Sequence, residues 1–316
     1  MSHFERLFRI QPQAVAYDLH PNYLTTRYAL ERIQRENLAE CGVQHHHAHI
    51  AACMADNGMD GSQAVIGLAF DGTGYGLDGA IWGGEFLVAD YAGFERKLHL
   101  DYFPLPGGDA AIKHPARVAL ALLWSLGLEW DESLDPVQDL GYEGRSALRI
   151  QLERGVNLAR TSSLGRLFDA AAALAGVRQR VNYEAQAAME FEAALDESEA
   201  GAYAFEIKND IVEHKPAIAG LLEDIQKHVS IPVISARFHN GLAELVRKAC
   251  VAMRDESGIN TVVLSGGVWQ NVALLERSVG RLRKDGFNVL LHRQVPANDG
   301  GLSLGQALVG AVKIKL

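Results

Sequence analysis

The sequence is poor in several features, and each shortage narrows what the protein can be. Its 316 residues hold three cysteines, Cys41, Cys53 and Cys250, with no CxxC pair among them. A disulfide scaffold and a cysteine-ligated zinc finger are excluded, and each thiol reads as a small buried apolar group in a reducing compartment. Positive charge is also scarce: 30 Lys and Arg against 39 Asp and Glu leave a net charge of −9. That balance does not fit a nucleic-acid backbone as main partner, because counterion release requires a cationic face. No apolar run reaches the roughly 18 residues that cross a bilayer. The opening MSHFERLFRI carries no signal-peptide core, so a cytoplasmic protein without membrane association is expected. There is no convincing Ser/His/Asp or Cys/His arrangement to supply an internal nucleophile.

The apolar content of 48% is enough for one large core or two moderate ones, and two lobes are the preferred reading. Residues 14–19 read as a buried strand, 23–38 as a helix, and 42–44 as a second short strand running into a cluster of histidines. Residues 64–70, 80–91 and 94–102 read as a three-stranded meander, with the glycine-rich 71–79 as its first turn. A mainly helical stretch follows, clearest at 116–126, 145–156, 164–176 and 184–195, then a strand at 202–208. The last third alternates: helix 236–257, strand 261–264, helix 271–285, strand 288–292, helix 301–313. Strands alternating with helices predict a mostly parallel α/β sheet joined to the meander. The expected division is 1–60 as a first lobe carrying the histidines and 61–316 as a second, with a helical insertion at about 115–230.

Four of the twelve histidines fall within five residues, at His45, His46, His47 and His49. On a helix, positions i and i+4 share a face, so His45 and His49 can offer two imidazoles to one ion. Neutral imidazole suits zinc or iron, with a carboxylate from elsewhere completing the site. The same spacing occurs in HExxH peptidases, but His46 stands where their glutamate base would be.

Three glycine turns could approach an anion. Asp71-Gly72-Thr73-Gly74-Tyr75-Gly76 can cradle phosphate oxygens with backbone N–H groups, Asp71 ligating or orienting a cation there; the plain alternative is an ordinary hairpin. Ser265-Gly266-Gly267-Val268 follows a parallel strand, where open α/β sheets bind ligands. Asn298-Asp299-Gly300-Gly301 opens the last helix. Together they favour a nucleotide. Residues 105–109 read as a structural corner. Residues 162–169 read as the capped start of an amphipathic helix, with Arg166 and Asp169 on one face, where they could meet a ligand's sugar or phosphate.

The segments VQHHHAHIA, AFDGTGYGLDGAIWGGEFL, FPLPGGDAA, SSLGRLFDAAAALAG, NYEAQAAMEFE, LSGGVWQN and PANDGGLSLGQ, in this order, resemble the C-terminal portion of HypF, the carbamoyltransferase of nickel–iron hydrogenase maturation. That portion is similar to TsaD, the tRNA threonylcarbamoyl transferase. The resemblance implies the two-lobed α/β fold of actin, the chaperone ATPases and the sugar kinases, a ribonuclease H-like architecture. It implies carbamoyl-adenylate, or ATP or AMP, in the cleft and transfer of carbamoyl to the C-terminal cysteine of the partner HypE. It implies His45, His49 and Asp299 as ligands of a divalent metal, with Asp71 as a fourth or as a phosphate contact. By the same resemblance Gly72, Thr73 and Gly74 match the phosphate hairpin, Asp169 and Glu184 the region near the ribose, and Gly266, Gly267 and Asn271 the nucleoside-binding turn.

Departures from the family pattern shape the expectation. No acylphosphatase-like, zinc-finger or YrdC-like adenylate-forming segment is recognisable, and the first lobe begins at residues 14–19 without a meander of its own, so it is expected to be incomplete. Ala185 stands where the family usually has glycine. The competing readings are a nucleotide- and metal-binding module without chemistry, and a TsaD-like transferase with another acceptor. A separate adenylate-forming YrdC-like protein is a further expected partner.

Overall fold

The computed structural model describes residues 2–315. Helix α1 (Ser2–Phe8) precedes β1 (Ala14–Asp18), α2 (Leu24–Glu36), β2 (Ala39–Val43) and the histidine helix α3 (His45–Asp56). β1 and β2 pair in parallel with Asp18 opposite Val43, which sets the end of β1 beside the start of α3. The helix opens where Gln44, in extended conformation, accepts the His47 N–H with its side chain. That capping bond fixes where the helix begins.

The meander is β3 (Val65–Tyr75), β4 (Ile81–Ala89) and β5 (Phe94–Leu100), antiparallel throughout. The expected turn at 71–76 is largely strand instead. β3 runs on to Tyr75 with its register against β4 shifted between Phe70 and Gly74, and the reversal itself falls at Gly76–Gly79. Glycines here serve close packing: a Cβ on Gly74 would lie 2.7 Å from His45 Cδ2, and one on Gly165 would lie 2.9 Å from Gly72 Cα.

Beyond the meander come β6 (Phe103–Pro106), α4 (Asp109–Ile112), α5 (Pro115–Ser125), α6 (Asp135–Arg154), β7 (Leu158–Thr161), α7 (Leu164–Leu174) and α8 (Gln186–Ala193). The chain continues through β8 (Glu206–Lys208), β9 (Ile211–Glu213), α9 (Lys215–Gln226), α10 (Ile231–Ser257), β10 (Thr261–Ser265), α11 (Val272–Lys284), β11 (Asn288–Leu290) and α12 (Leu302–Ile314). Helices α1, α4 and α9 and strands β6, β7 and β9 were not anticipated, β6 and α4 falling where 105–109 read as a corner; α6 and α10 start earlier than expected, each with a proline in its first turn. The second sheet runs β11-β10-β3-β4-β5-β9-β8, with β7 attached to β4 and β6 to β7. β10 and β11 are parallel to β3, as the alternating pattern predicts.

Two apolar clusters cover this sheet. The larger gathers α5, α7 and α10. Every residue of α7 is buried, and its four alanines in a row let neighbouring elements approach from all sides. The smaller cluster joins β2, α3, α12 and the opposite face of the sheet. There Gly305 of α12 lies directly on the backbone of Ala48 and Ala52, so α12 fixes the histidine helix against the sheet.

Candidate metal and nucleotide site

One turn of α3 brings His45 and His49 onto the same side, and β3 and the turn before α12 bring two carboxylates to them. Asp71 Oδ2 stands 3.2 Å from Nε2 of each imidazole. Asp299 Oδ1 stands 3.5 Å from the same two nitrogens. One ligand atom from each residue lies within 4.8 Å of the other three. A tetrahedron with bonds of about 2.1 Å has edges of about 3.4 Å, so these separations suit a zinc- or iron-sized ion. The remaining ring nitrogens are held. His45 Nδ1 donates to Asp18 Oδ2 at 2.8 Å, and His49 Nδ1 faces Ser265 Oγ at 3.4 Å, which in turn lies 2.8 Å from His292 Nε2. The Asp18 contact favours the proton on His45 Nδ1, both Nε2 atoms face the two carboxylates, and the residues fit a divalent ion.

Charge follows the same arrangement. Burial opposes protonation of His45, but its hydrogen bonds to Asp18, Asp299 and Asp71 outweigh it and hold the imidazole well above its ordinary 6.5. His49 is raised likewise, against burial, by Asp299 and Asp71. Burial opposes ionisation of Asp71 and Asp299, yet the two imidazoles pull Asp71 well below the carboxylate range and Asp299 down to about 2. Three buried groups and the exposed Asp299 thus demand positive charge at their centre, supplied by protons or by a metal. The other two histidines do not take part. Burial drives His46 well below 6.5, and its Nδ1 takes a hydrogen bond from the Gln44 amide; His47 Nε2 donates to Asp90 O at 2.6 Å.

Asp71 also belongs to a second arrangement. Its Oδ1 accepts the Gly72 N–H at 2.8 Å and the Gly267 N–H at 3.1 Å, tying β3 to the turn after β10. These strands border a cleft of about 1080 Å³ whose wall includes Asp71, Gly72, Thr73, Arg166, Glu184, Gly267, Asn271 and Asp299. The N-terminus of α7 closes one side: Ser163 Oγ accepts the Arg166 N–H and lies within hydrogen-bonding distance of the Asp71 and Gly72 carbonyls. Arg166 is buried to 1% exposure, and its Nε and Nη1 have no aligned hydrogen-bond acceptor. Nη1 lies 2.9 Å from Asp169 Oδ2, which forms an ion pair. Asn271 is already oriented: its amide reaches His239 and its Oδ1 caps α11.

Most of the residues expected from sequence at the nucleotide meet here, but three do not line the cleft. Gly74 packs on the histidine helix. Gly266, at φ +108°, sits against the Phe70 carbonyl behind the wall. Asp169 lies under Arg166, where burial raises its carboxyl to about 6 against the pull of the guanidinium. Asp18, Ser265 and His292 were not expected at the metal. Their signal was the register of β1 on β2 and the end of β10, which become visible only once the strands are paired.

Residues 67–306 match the family described as carbamoyltransferase, Kae1-like domain, second subdomain, and residues 1–56 match the HypF Kae1-like domain. The chain belongs to the HypF family. It is 35% identical over 327 residues to the carbamoyltransferase HypF of Synechocystis, covering 98% of this chain and 41% of that protein. It is 38% identical over 311 residues to a HypF homolog of Cupriavidus necator, covering 95% of this chain and 78% of that one. A crystal structure of full-length HypF in a phosphate- and nucleotide-bound form superposes with a TM-score of 0.92 at 42% identity, over 100% of this chain and 49% of that one. HypF of T. kodakarensis gives 0.88 at 33% identity, over 99% of this chain and 42% of that one. The expected lobed α/β fold is borne out, and the chain spans about two-fifths of the length of most curated relatives it matches. Among the described residues no helix is long and apolar enough to cross a membrane.

Proposed function

We propose that the chain is a carbamoyl-transfer domain of nickel–iron hydrogenase maturation, passing carbamoyl from carbamoyl-adenylate to the C-terminal cysteine of a HypE-like acceptor. The observation that carries this reading is that Asp71 and Asp299 serve two places at once: they complete the His45/His49 ligand set and they stand in the wall of the cleft that fits a nucleotide. A divalent ion, zinc or iron, held by these four residues would supply Lewis acidity to phosphate and carbamoyl oxygens. The chain's residues do the rest. Gly72 and Thr73 leave room for phosphate oxygens, Gly267 and Asn271 flank the nucleoside, and Glu184 faces the sugar. Arg166, in the cleft wall, brings a guanidinium to the anion.

In the transfer step the acceptor's thiolate sulfur forms a bond to the carbamoyl carbon. The bond from that carbon to the phosphate oxygen breaks, and AMP leaves with its electron pair. The chain's own thiols are unsuited to that attack. All three are buried, and burial pushes Cys53 up to about 12. The adenylate is then made elsewhere, by a YrdC-like domain attached or separate.

The test mixes the metal-loaded chain with carbamoyl-adenylate and a peptide ending in the acceptor cysteine, and follows the peptide by mass spectrometry. A gain of one carbamoyl group on the thiol, dependent on the chain, is the expected result. AMP or adenylate binding without any transfer would instead assign the chain as a binding module.

A further inference from the structure

The two metal histidines are held by unlike partners. His49 Nδ1 has only Ser265 Oγ, at 3.4 Å, and the serine's shorter contact, 2.8 Å, goes to His292. His45 Nδ1 has a buried carboxylate at 2.8 Å. That carboxylate, Asp18, is 6% exposed and fixed on every side: its Oδ1 accepts the His20 N–H at 2.8 Å, and its backbone carbonyl accepts the Thr26 hydroxyl at 2.9 Å. It ends β1, one strand away from the helix it serves, so its position relative to His45 is set by the β1–β2 pairing.

We propose that Asp18 is the positioning residue of the metal centre, fixing the tautomer and ring plane of His45 and contributing more to metal retention than Ser265 does. The inference rests on the metal reading of the His45, His49, Asp71 and Asp299 cluster. A carboxylate can only accept, so it holds the proton on Nδ1 and leaves Nε2 as a lone pair; its charge also raises the basicity of that lone pair. Ser265 is a weaker guide, since a hydroxyl can donate or accept. Asparagine at 18 would act in the opposite sense. With its oxygen on the His20 N–H, its NH₂ would face His45 Nδ1, select the Nδ1 lone pair, and turn the Nε2 proton toward the ligands. Asp18→Asn is therefore expected to be at least as harmful as Asp18→Ala, although it is closer in shape.

The experiment measures zinc affinity by competition with a chromophoric chelator for the full chain and its Asp18→Ala, Asp18→Asn and Ser265→Ala variants, with melting temperatures of the chelated proteins alongside. Expected losses are roughly 10- to 100-fold for both Asp18 variants, the size typical of an outer-shell partner, and less than about threefold for Ser265→Ala. Cobalt(II) in the Asp18→Asn protein should show an absorption spectrum altered from wild type even at saturation. A merely structural role predicts the reverse order, with the isosteric Asp18→Asn nearer wild type. That order overturns the proposal, and so does a Ser265→Ala loss equal to that of Asp18→Ala. If the wild-type chain takes up no zinc or cobalt, the metal reading itself falls.

Discussion

His45→Ala and His49→Ala are each expected to lower metal affinity by more than about 100-fold, while His47→Ala leaves the bound metal in place. All three histidines are buried in one helix, so burial and helix propensity do not distinguish them. What separates them is the partner of the outward nitrogen. His45 and His49 turn Nε2 to Asp71 and Asp299, whereas His47 turns it to the Asp90 carbonyl beside β5. Metal content of the purified variants, measured by inductively coupled plasma mass spectrometry after equilibration with zinc, reads the difference. His47→Ala should still cost stability, since the lost ring packs on Phe94 and the Asp90 carbonyl loses its donor. Equal metal loss in all three variants would show that the helix as a whole, not the pair, is what the metal needs.

The second large effect is expected at Gly72. A Cβ there would stand 3.2 Å from Arg166 Nη2 and 3.3 Å from Glu184 Oε1, so its hydrogen leaves open the space between a guanidinium and a carboxylate on the cleft wall. Gly72→Val fills that space with three carbons. The strain and lost room are put at about 2–3 kcal/mol, a roughly 30- to 150-fold loss of AMP affinity. Asp71 keeps its side chain in this variant, so zinc uptake should stay within a few-fold of wild type. Calorimetric titration with AMP and chelator competition with zinc read the two sites separately. Joint loss of both ligands would mean that the substitution displaces Asp71 and that the cleft and the metal centre cannot be separated there.

How much of this was legible in the sequence follows from the range of each interaction. The His45/His49 pair was readable because a helix repeats within four residues; the cap at Gln44 that starts the helix is equally local but was not read. The β–α alternation from residue 236 onward was readable for the same reason, as periodicity. Asp299 was readable as part of a glycine turn facing the cleft, but as a metal ligand it came only through likeness to a family, because no local rule links position 299 to position 45. Asp18 escaped notice altogether: a strand's last residue gains its meaning from the neighbour it pairs with, here Val43, two residues before His45. The Asp71–Gly76 segment was misread for a physical reason. Glycines permit turns, but within β3 Gly74 is required by the histidine helix packed on it and Gly72 lies close under Arg166 of α7; only Gly76, against Trp82, stands at the reversal. β7 is only four residues long and the strands of the β8–β9 ribbon three each; elements this short leave too little pattern to read.

On the proposed function, one metal ion and the phosphate of one nucleotide share the ground between Asp71 and Asp299. Phosphorus-31 relaxation of AMP on the cobalt(II)-loaded chain reads this sharing. Strong paramagnetic broadening is expected with cobalt(II), none with zinc, and its disappearance in His49→Ala. A sharp phosphorus resonance from AMP that is demonstrably bound to the cobalt-loaded chain would contradict it.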